Sequence, residues 1–325
     1  FKTLSTKNLP DATVVPSDSF DVILGDGATI KDTAEAVYPT QLSWIKALGV
    51  NNNQLIDSVR GLDSVLVSNT AAGDTAYVTP VGNSVAWNWK AGTEVTNNEG
   101  TIESQVSANP EAGFSVVTYT GVGGGDKTVG HGLSSAPQML ITKTLNNTYE
   151  WKVWHTGLPS GNALILNSTA PQNSDPSTFT TTTPTSTVFS VGTNVAINQA
   201  TAKYVAYCFA DVEGYSKFGS YTGNGSADGP FVYTGFRPAF LMYKQSSLSG
   251  EYWHIQDSTR NPNNGVDKDL YPNLSNAEAT YSSPSVDFVS NGFKFRTNNG
   301  AWNASGATYI YMAFAEQPFK NANAR

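Results

Sequence analysis

The side chains best suited to chemistry fall in a few short stretches. Asp57-Ser58-x-Arg60 recurs as Asp257-Ser258-x-Arg260, a carboxylate and a guanidinium held at one spacing. Such a pair can face a polar ligand, or it can pin a strand-to-loop exit while the serine caps the turn. Recurrence favours the second role, because duplicated scaffolds keep their framework more reliably than their sites. Trp154-His155 and Trp253-His254 each set an aromatic face beside an imidazole. That combination suits a sugar ring, with the indole stacking and the imidazole hydrogen-bonding, although a tryptophan in a repeated strand more often fills a core. The candidate ligand-binding residues are therefore Trp154, His155, Trp253, His254, Asp257 and Arg260. The expected location is the loops after the two Trp-His pairs, or the Asn-rich loop 260–276.

Other chemistries find less support. Glycoside hydrolysis needs two carboxylates roughly 5 to 9.5 Å apart across a cleft. Asp211-Val212-Glu213 has a suitable spacing but follows the end of a strand pattern, so it reads as a solvated junction. His131, in Val-Gly-His-Gly, reads as a strand-end packing residue. Gly123-Gly124-Gly125-Asp126 lacks the Lys-Ser/Thr and the helix of a phosphate loop and reads as a hairpin tip. Asp267 and Asp269 offer hard oxygens for calcium, but Lys268 separates them and no fixed ligand spacing surrounds them. The lone cysteine, Cys208, lies in an apolar run and reads as a small buried hydrophobe. The sequence thus assigns no catalytic residue, no metal and no cofactor.

The elements that position these residues are repeated. Tyr119-Thr120-Gly121-x-Gly123, Pro137 and Lys143 recur at nearly constant spacing as Tyr221-Thr222-Gly223-x-Gly225, Pro238 and Lys244. A constant offset over scattered positions means duplication. A weaker copy begins at Phe20, with Gly25-Asp26-Gly27, Leu42 to Lys46, and Ser84-Val85-Ala86-Trp87-Asn88-Trp89 matching Tyr204-Val205-Ala206-Tyr207-Cys208-Phe209. The expected organisation is an extended arm (1–19), a short first β-sandwich repeat (20–93), a linker (94–112), a second repeat (113–213), a third (214–319) and a polar tail (320–325). The alternation Ile102, Ser104, Val106 within the linker suggests a strand laid across the boundary. The short first copy lacks a hairpin, so an apolar flank is expected to rest on the second copy or on another chain. Apolar residues at period two or in short runs dominate, and no amphipathic helix is evident.

These motifs carry a resemblance. Tyr119-Thr120-Gly121-x-Gly123, Val129-Gly130-His131-Gly132, Pro137 and the closing run from Tyr204 to Ala210 resemble a repeated domain of phage virion proteins. So do Gly219 to Gly225 with Tyr309 to Glu316. The domain is found in tail-fibre-like and other structural proteins of environmental tailed phages, often after a lectin-like module. The resemblance covers 113–319 well and 20–92 loosely. It implies an all-β fold of tandem jelly-roll, concanavalin A-like sandwich modules with the first copy truncated, and a place on the virion.

Composition agrees with such a class. Charged residues make up 14 % of the 325-residue chain, aromatics reach 11 %, and the net charge is -7. Polar loops on rigid sandwiches suit adhesion. Net negative charge argues against a nucleic-acid partner, and no apolar run is long enough to span a bilayer as a helix. The function expected is a non-enzymatic virion structural protein contributing to host attachment. Its expected partners are other virion subunits, a second copy of itself in a homo-oligomer, and a host surface glycan. A carbohydrate-active enzyme or binding module and a cellular adhesin are the alternatives.

Overall fold

The computed structural model describes residues 18–316. The tail (320–325) and all but the last two residues of the arm (1–19) lie outside the described residues. The first repeat comprises β1 (Phe20–Asp26), α1 (Ile30–Val37), β2 (Gln41–Ala47), β3 (Asn53–Asp57), β4 (Ser64–Val67), β5 (Thr75–Ala76) and β6 (Asn83–Lys90). Then come β7 (Glu94–Asn97) and β8 (Ser104–Asn109). The second repeat comprises β9 (Phe114–Thr120), β10 (Lys127–Gly130), β11 (Met139–Thr144), β12 (Lys152–His155), β13 (Asn162–Ile165), β14 (Asn173–Ser174), α2 (Pro176–Phe179), β15 (Val188–Val191), α3 (Val195–Asn198) and β16 (Lys203–Phe209). The third comprises β17 (Ser216–Thr222), β18 (Phe231–Tyr233), β19 (Pro238–Gln245), β20 (Trp253–Asp257), β21 (Lys268–Asp269), β22 (Ala279–Thr280), β23 (Val286–Val289), β24 (Gly292–Phe295), α4 (Gly300–Asn303) and β25 (Thr308–Ala315). The protein is all-β, and its paired strands are antiparallel.

One strand order recurs in each main sheet: β1-β6-β2-β3, β9-β16-β11-β12 and β17-β25-β19-β20. In every case the first strand of the repeat pairs with the last, and the last pairs with the second strand of that sheet. The side chains of β2, β11, β16 and β25 are buried on both faces, which is why these strands read as continuous apolar runs rather than as clean alternation.

The two faces go to different cores. Trp87 and Trp89 of β6, Tyr207 and Phe209 of β16, and Met312 and Phe314 of β25 enter one central cluster drawn from all three sheets. The intervening residues, such as Ala86, Cys208 and Tyr311, enter separate outer cores. At the centre Trp89, Phe209 and Phe314 form a triangle. Their ring centroids are 5.8 Å (Trp89–Phe209), 5.7 Å (Trp89–Phe314) and 6.2 Å (Phe209–Phe314) apart, each pair edge-to-face. The three residues close equivalent strands, so the repeats surround a shared core instead of standing as independent sandwiches.

Three expectations are corrected here. Residues 94–112 do not form a linker: β7 and β8 extend the second repeat's sheet beyond β9, in the order β9-β8-β7. The outer face of the first sheet is covered not by a hairpin or another repeat but by α1, with Leu62 and Tyr77. That helix went unread because its buried pair is only Ile30 and Ala34, one turn apart, too little for a period. So short a helix is marginal alone and depends on the sheet beneath it. The first repeat's inner face, finally, meets both other repeats, not the second alone.

A shared core predicts one cooperative transition for the whole chain. Phe314→Ala should lower stability by about 3–5 kcal/mol, with near-ultraviolet signals from all repeats lost together in a denaturant titration. A fragment of residues 1–93 that behaved as a stable monomer would contradict the shared core.

Candidate functional site

Adjacent residues on a strand point to opposite faces, and this separates the Trp-His pairs. His155 and Trp253 point into the central core and its margins, whereas Trp154 and His254 point outward. Neither pair can form a single sugar-stacking surface. Trp253, His254, His155, Asp257 and Arg260 are all buried, and only Trp154 is partly exposed. The structure brings four of the six predicted residues to the joints between repeats.

Each joint starts from the third strand of a main sheet. The residue at its opening, or just before it in β12, reaches a backbone carbonyl on one neighbouring repeat. Asn53 Nδ2 donates to Tyr271 O at 3.0 Å, Trp151 Nε1 to Val67 O at 3.0 Å, and Trp253 Nε1 to Ile165 O at 3.1 Å. The residue at its close meets the other neighbour. Asp57 Oδ2 accepts from Tyr207 Oη at 2.9 Å, and Asp257 Oδ2 accepts from Trp87 Nε1 at 3.1 Å. His155 stands at the same position in the second repeat and donates through Nε2 to Tyr311 O at 3.0 Å. Its Nδ1 accepts from Gly157 N at 2.9 Å, which fixes the tautomer. Backbone bonds complete the ring: Glu278 N to Leu48 O at 2.8 Å, Asp74 N to Leu145 O at 2.6 Å, and Gln172 N to Ser246 O at 2.8 Å.

The arginines buttress these joints. Arg60 Nε donates to Asp57 Oδ2 and Arg260 Nε to Asp257 Oδ2, both at 2.6 Å. Their Nη1 atoms continue to Asp74 at 2.8 Å and Glu278 at 3.0 Å, and their Nη2 atoms bind Leu55 O and Ile255 O, both at 3.0 Å. The repeated Asp-Ser-x-Arg motif is thus an ion pair inside a repeat that also receives a donor from the next one. Each buried carboxylate is satisfied by a guanidinium, a backbone N–H and a neighbouring indole or phenol, and so braces its joint.

Matched lysines occupy the inner strand ends. Lys46, Lys143 and Lys244 are buried. Their ammonium groups donate to backbone carbonyls: Lys46 to Ala47 O at 2.7 Å and Gly49 O at 2.9 Å, Lys143 to Thr144 O at 3.1 Å and Ala71 O at 3.0 Å, and Lys244 to Gln245 O at 2.6 Å. Burial holds all of them down to about 8. The buried imidazoles of His131 and His155 are likewise pushed down to about 4 by desolvation. His131 packs at a strand end, bonded to Thr185 O and Leu133 N.

A second polar cluster lies on the outer face of the third sheet. His254 Nδ1 meets Asp269 Oδ2 at 2.6 Å, Tyr271 and Tyr281 join through their hydroxyls at 2.6 Å, and the His254 ring stacks on Tyr243. Tyr271 and Trp302 close over the imidazole at centroid distances of 5.5 Å each. Sequence reasoning missed Asp269 as a partner of His254 because they lie fifteen positions apart on different strands, with a loop between. It also missed Trp87 and Tyr207, although both stand at one position of the matched terminal strands. The loop considered for calcium spends its carboxylates on protein partners: Asp267 accepts from Asn261 Nδ2 at 2.7 Å, and Asp269 meets His254.

A family model for a domain of unknown function (DUF7483) matches residues 77–318. No curated protein matches the chain, and no solved structure does.

Two outcomes follow from the joints. Asp257→Asn leaves Arg260 buried beside a neutral amide and should cost about 3–5 kcal/mol in chemical denaturation. The lysines give a pH signature. Their folded values lie below the ordinary 10.5, so the unfolded chain binds more protons between pH 8 and pH 10.5, and stability rises with pH across that window. Above pH 10 the buried Tyr207, Tyr221 and Tyr243, held up by desolvation, reverse the trend. The melting temperature of the wild type should therefore climb from pH 8 to pH 10 relative to the Lys46→Met, Lys143→Met, Lys244→Met triple variant. Parallel curves would refute the assignment.

Proposed function

The chain belongs to the DUF7483 family of domains of unknown function, and from that premise we propose that it is a non-enzymatic structural protein of a phage virion that contributes to host-surface attachment. The observation that carries the reading is how the chain uses its candidate chemistry. The aspartates and arginines of the Asp-Ser-x-Arg motifs, with His155 and Trp253, suggested a ligand site and are committed to closing three repeats around one core. A scaffold so cross-braced supports the presentation of long polar loops to an outside surface, the arrangement expected of an attachment protein. The motifs Tyr119-Thr120-Gly121 and Tyr221-Thr222-Gly223, which resemble those of phage virion proteins, support the reading. Both lead out of the first strand of a repeat, where each tyrosine hydroxyl donates to a carbonyl of a short helical turn, Ile197 O or Trp302 O. The repeated motif thus marks a structural corner of the module. The glycan contact in this reading falls to the exposed loops rather than to Trp253 or Asp257.

An antibody against residues 113–316 and gold labelling of particles from the source sample test the reading. Label at the tail end is the expected result. Label confined to the head or a shaft would keep the virion assignment and remove the attachment role. Absence of particle-associated label would overturn both.

A further inference from the structure

The chain's Asn-Gly pairs, Asn224-Gly225, Asn264-Gly265, Asn291-Gly292 and Asn299-Gly300, all lie in the third repeat. An asparagine followed by glycine can modify itself, because no Cβ keeps the glycine peptide nitrogen away from the asparagine carboxamide. The reaction needs that peptide to turn until its nitrogen faces the side-chain Cγ. All of these asparagines are exposed, so hydrogen bonding, not access, separates them.

Three pairs are held. Gly225 N donates to Asn303 O at 2.9 Å. The Asn224 carboxamide is bound at both ends, donating to Asp228 O at 3.0 Å and accepting from Ser226 N at 2.9 Å. The Asn291 carbonyl accepts from Thr234 N at 3.0 Å and Gly235 N at 3.2 Å, and Gly292 is buried in β24, where a Cβ would stand 2.1 Å from Val232 O. The Asn299 carbonyl accepts from Asn303 N at 2.8 Å, while its Oδ1 accepts from Ala301 N at 2.9 Å and caps α4.

Asn264 differs. Among the described residues, the peptide joining it to Gly265 makes no hydrogen bond through its carbonyl or its N–H, and Asn264 Nδ2 makes none. One bond ties the side chain, from Phe288 N to Oδ1 at 3.0 Å. Gly265 has a φ of +92°, and a Cβ on it would stand 2.8 Å from Pro284 Cγ, so the loop requires glycine there. The backbone thus builds the reactive pair into an exposed loop.

We propose that Asn264 is a site of spontaneous conversion to isoaspartate. Hydroxide removes the Gly265 N–H proton, and the nitrogen attacks Asn264 Cγ. A C–N bond forms, the Cγ–Nδ2 bond breaks, and the amide nitrogen leaves as ammonia, so a five-membered succinimide closes without any redox change. Solvent water then opens the ring at either carbonyl, giving aspartate or isoaspartate. The isoaspartyl product routes the main chain through Cβ and Cγ, which lengthens the loop between Arg260 at its joint and Val266, where the chain bridges back to Val286. It also withdraws the acceptor from Phe288 N and adds a negative charge to the loop. An exposed loop of the third repeat therefore changes length and charge as the protein ages. The inference rests on the hydrogen bonding of this loop and not on the virion reading.

The full chain is incubated at mildly alkaline pH, native and in urea, and mapped by peptide mass spectrometry, with isoaspartyl methyltransferase labelling to identify the product. In the native chain Asn264 should gain the mass of an amide-to-acid change and take the label, while Asn224, Asn291 and Asn299 stay intact; in urea every pair should convert. The native rate should rise with pH, since the peptide nitrogen attacks as its anion. Asn264→Gln, whose longer side chain closes no five-membered ring, should leave the native chain unlabelled. Amide hydrogen exchange at Phe288 should be faster in the isoaspartyl form than in Asn264→Asp, which keeps the length of the main chain. Asn264 that stays intact in the native chain while it converts in urea overturns the proposal, as do equal native rates at every pair. Unchanged exchange at Phe288 in the isoaspartyl form overturns the loosening of the loop.

Discussion

The edge-to-face triangle of Trp89, Phe209 and Phe314 is the contact on which the architecture depends. Each ring comes from the closing strand of a different repeat. No repeat can bury its ring alone, because the cover of each sheet's inner face comes from the other two sheets. Phe20, Phe240 and Tyr215 pack around the triangle and extend it toward the sheet margins. Large aromatic rings bury much apolar area with few rotors to freeze, so they can close such a centre at modest entropic cost.

Polar joints give that apolar centre its register. Nonpolar packing alone would tolerate small rotations of one sheet against the next. The bonds from Asn53, Trp151 and Trp253 to one neighbour, and from Asp57, His155 and Asp257 to the other, do not. One position has kept its role while its chemistry changed from carboxylate to imidazole. His155 reverses the direction of donation, because its partner on the third repeat is a carbonyl where the others meet a phenol or an indole. Burial that keeps His155 neutral also keeps that donor geometry over the ordinary pH range.

The outer faces diverge where the inner faces agree. The first sheet is covered by α1, the second by β10 and β15 with the segment around Ile102, and the third by β18, β24 and β23. An outer face has only its own repeat to satisfy, so its cover can change without disturbing the ring. Function that varies among such modules has its room there and in the loops, while the central residues are bound by three partners at once.

The repeat, the all-β class and the matched ends of strands were legible in the sequence. Tyr119 and Tyr221, Lys143 and Lys244, and the two Asp-Ser-x-Arg motifs stand at matched spacing, and short apolar runs bounded by turn residues name strands directly. Cys208 in its apolar run was legible for the same reason. What the sequence could not assign was the destination of each face. A strand buried on both sides shows no alternation, so Trp253 and His254 look like neighbours in one site when they serve different cores. Residues 94–112 look like a linker because turn residues dominate, and only pairing with β9 makes them strands. The sequence by itself determined which local segments extend and which are copies of one another, since those properties depend on near neighbours. Tertiary structure alone decided that the copies share one core and that Asp57, His155 and Asp257 are joints, because their partners lie a repeat away along the chain.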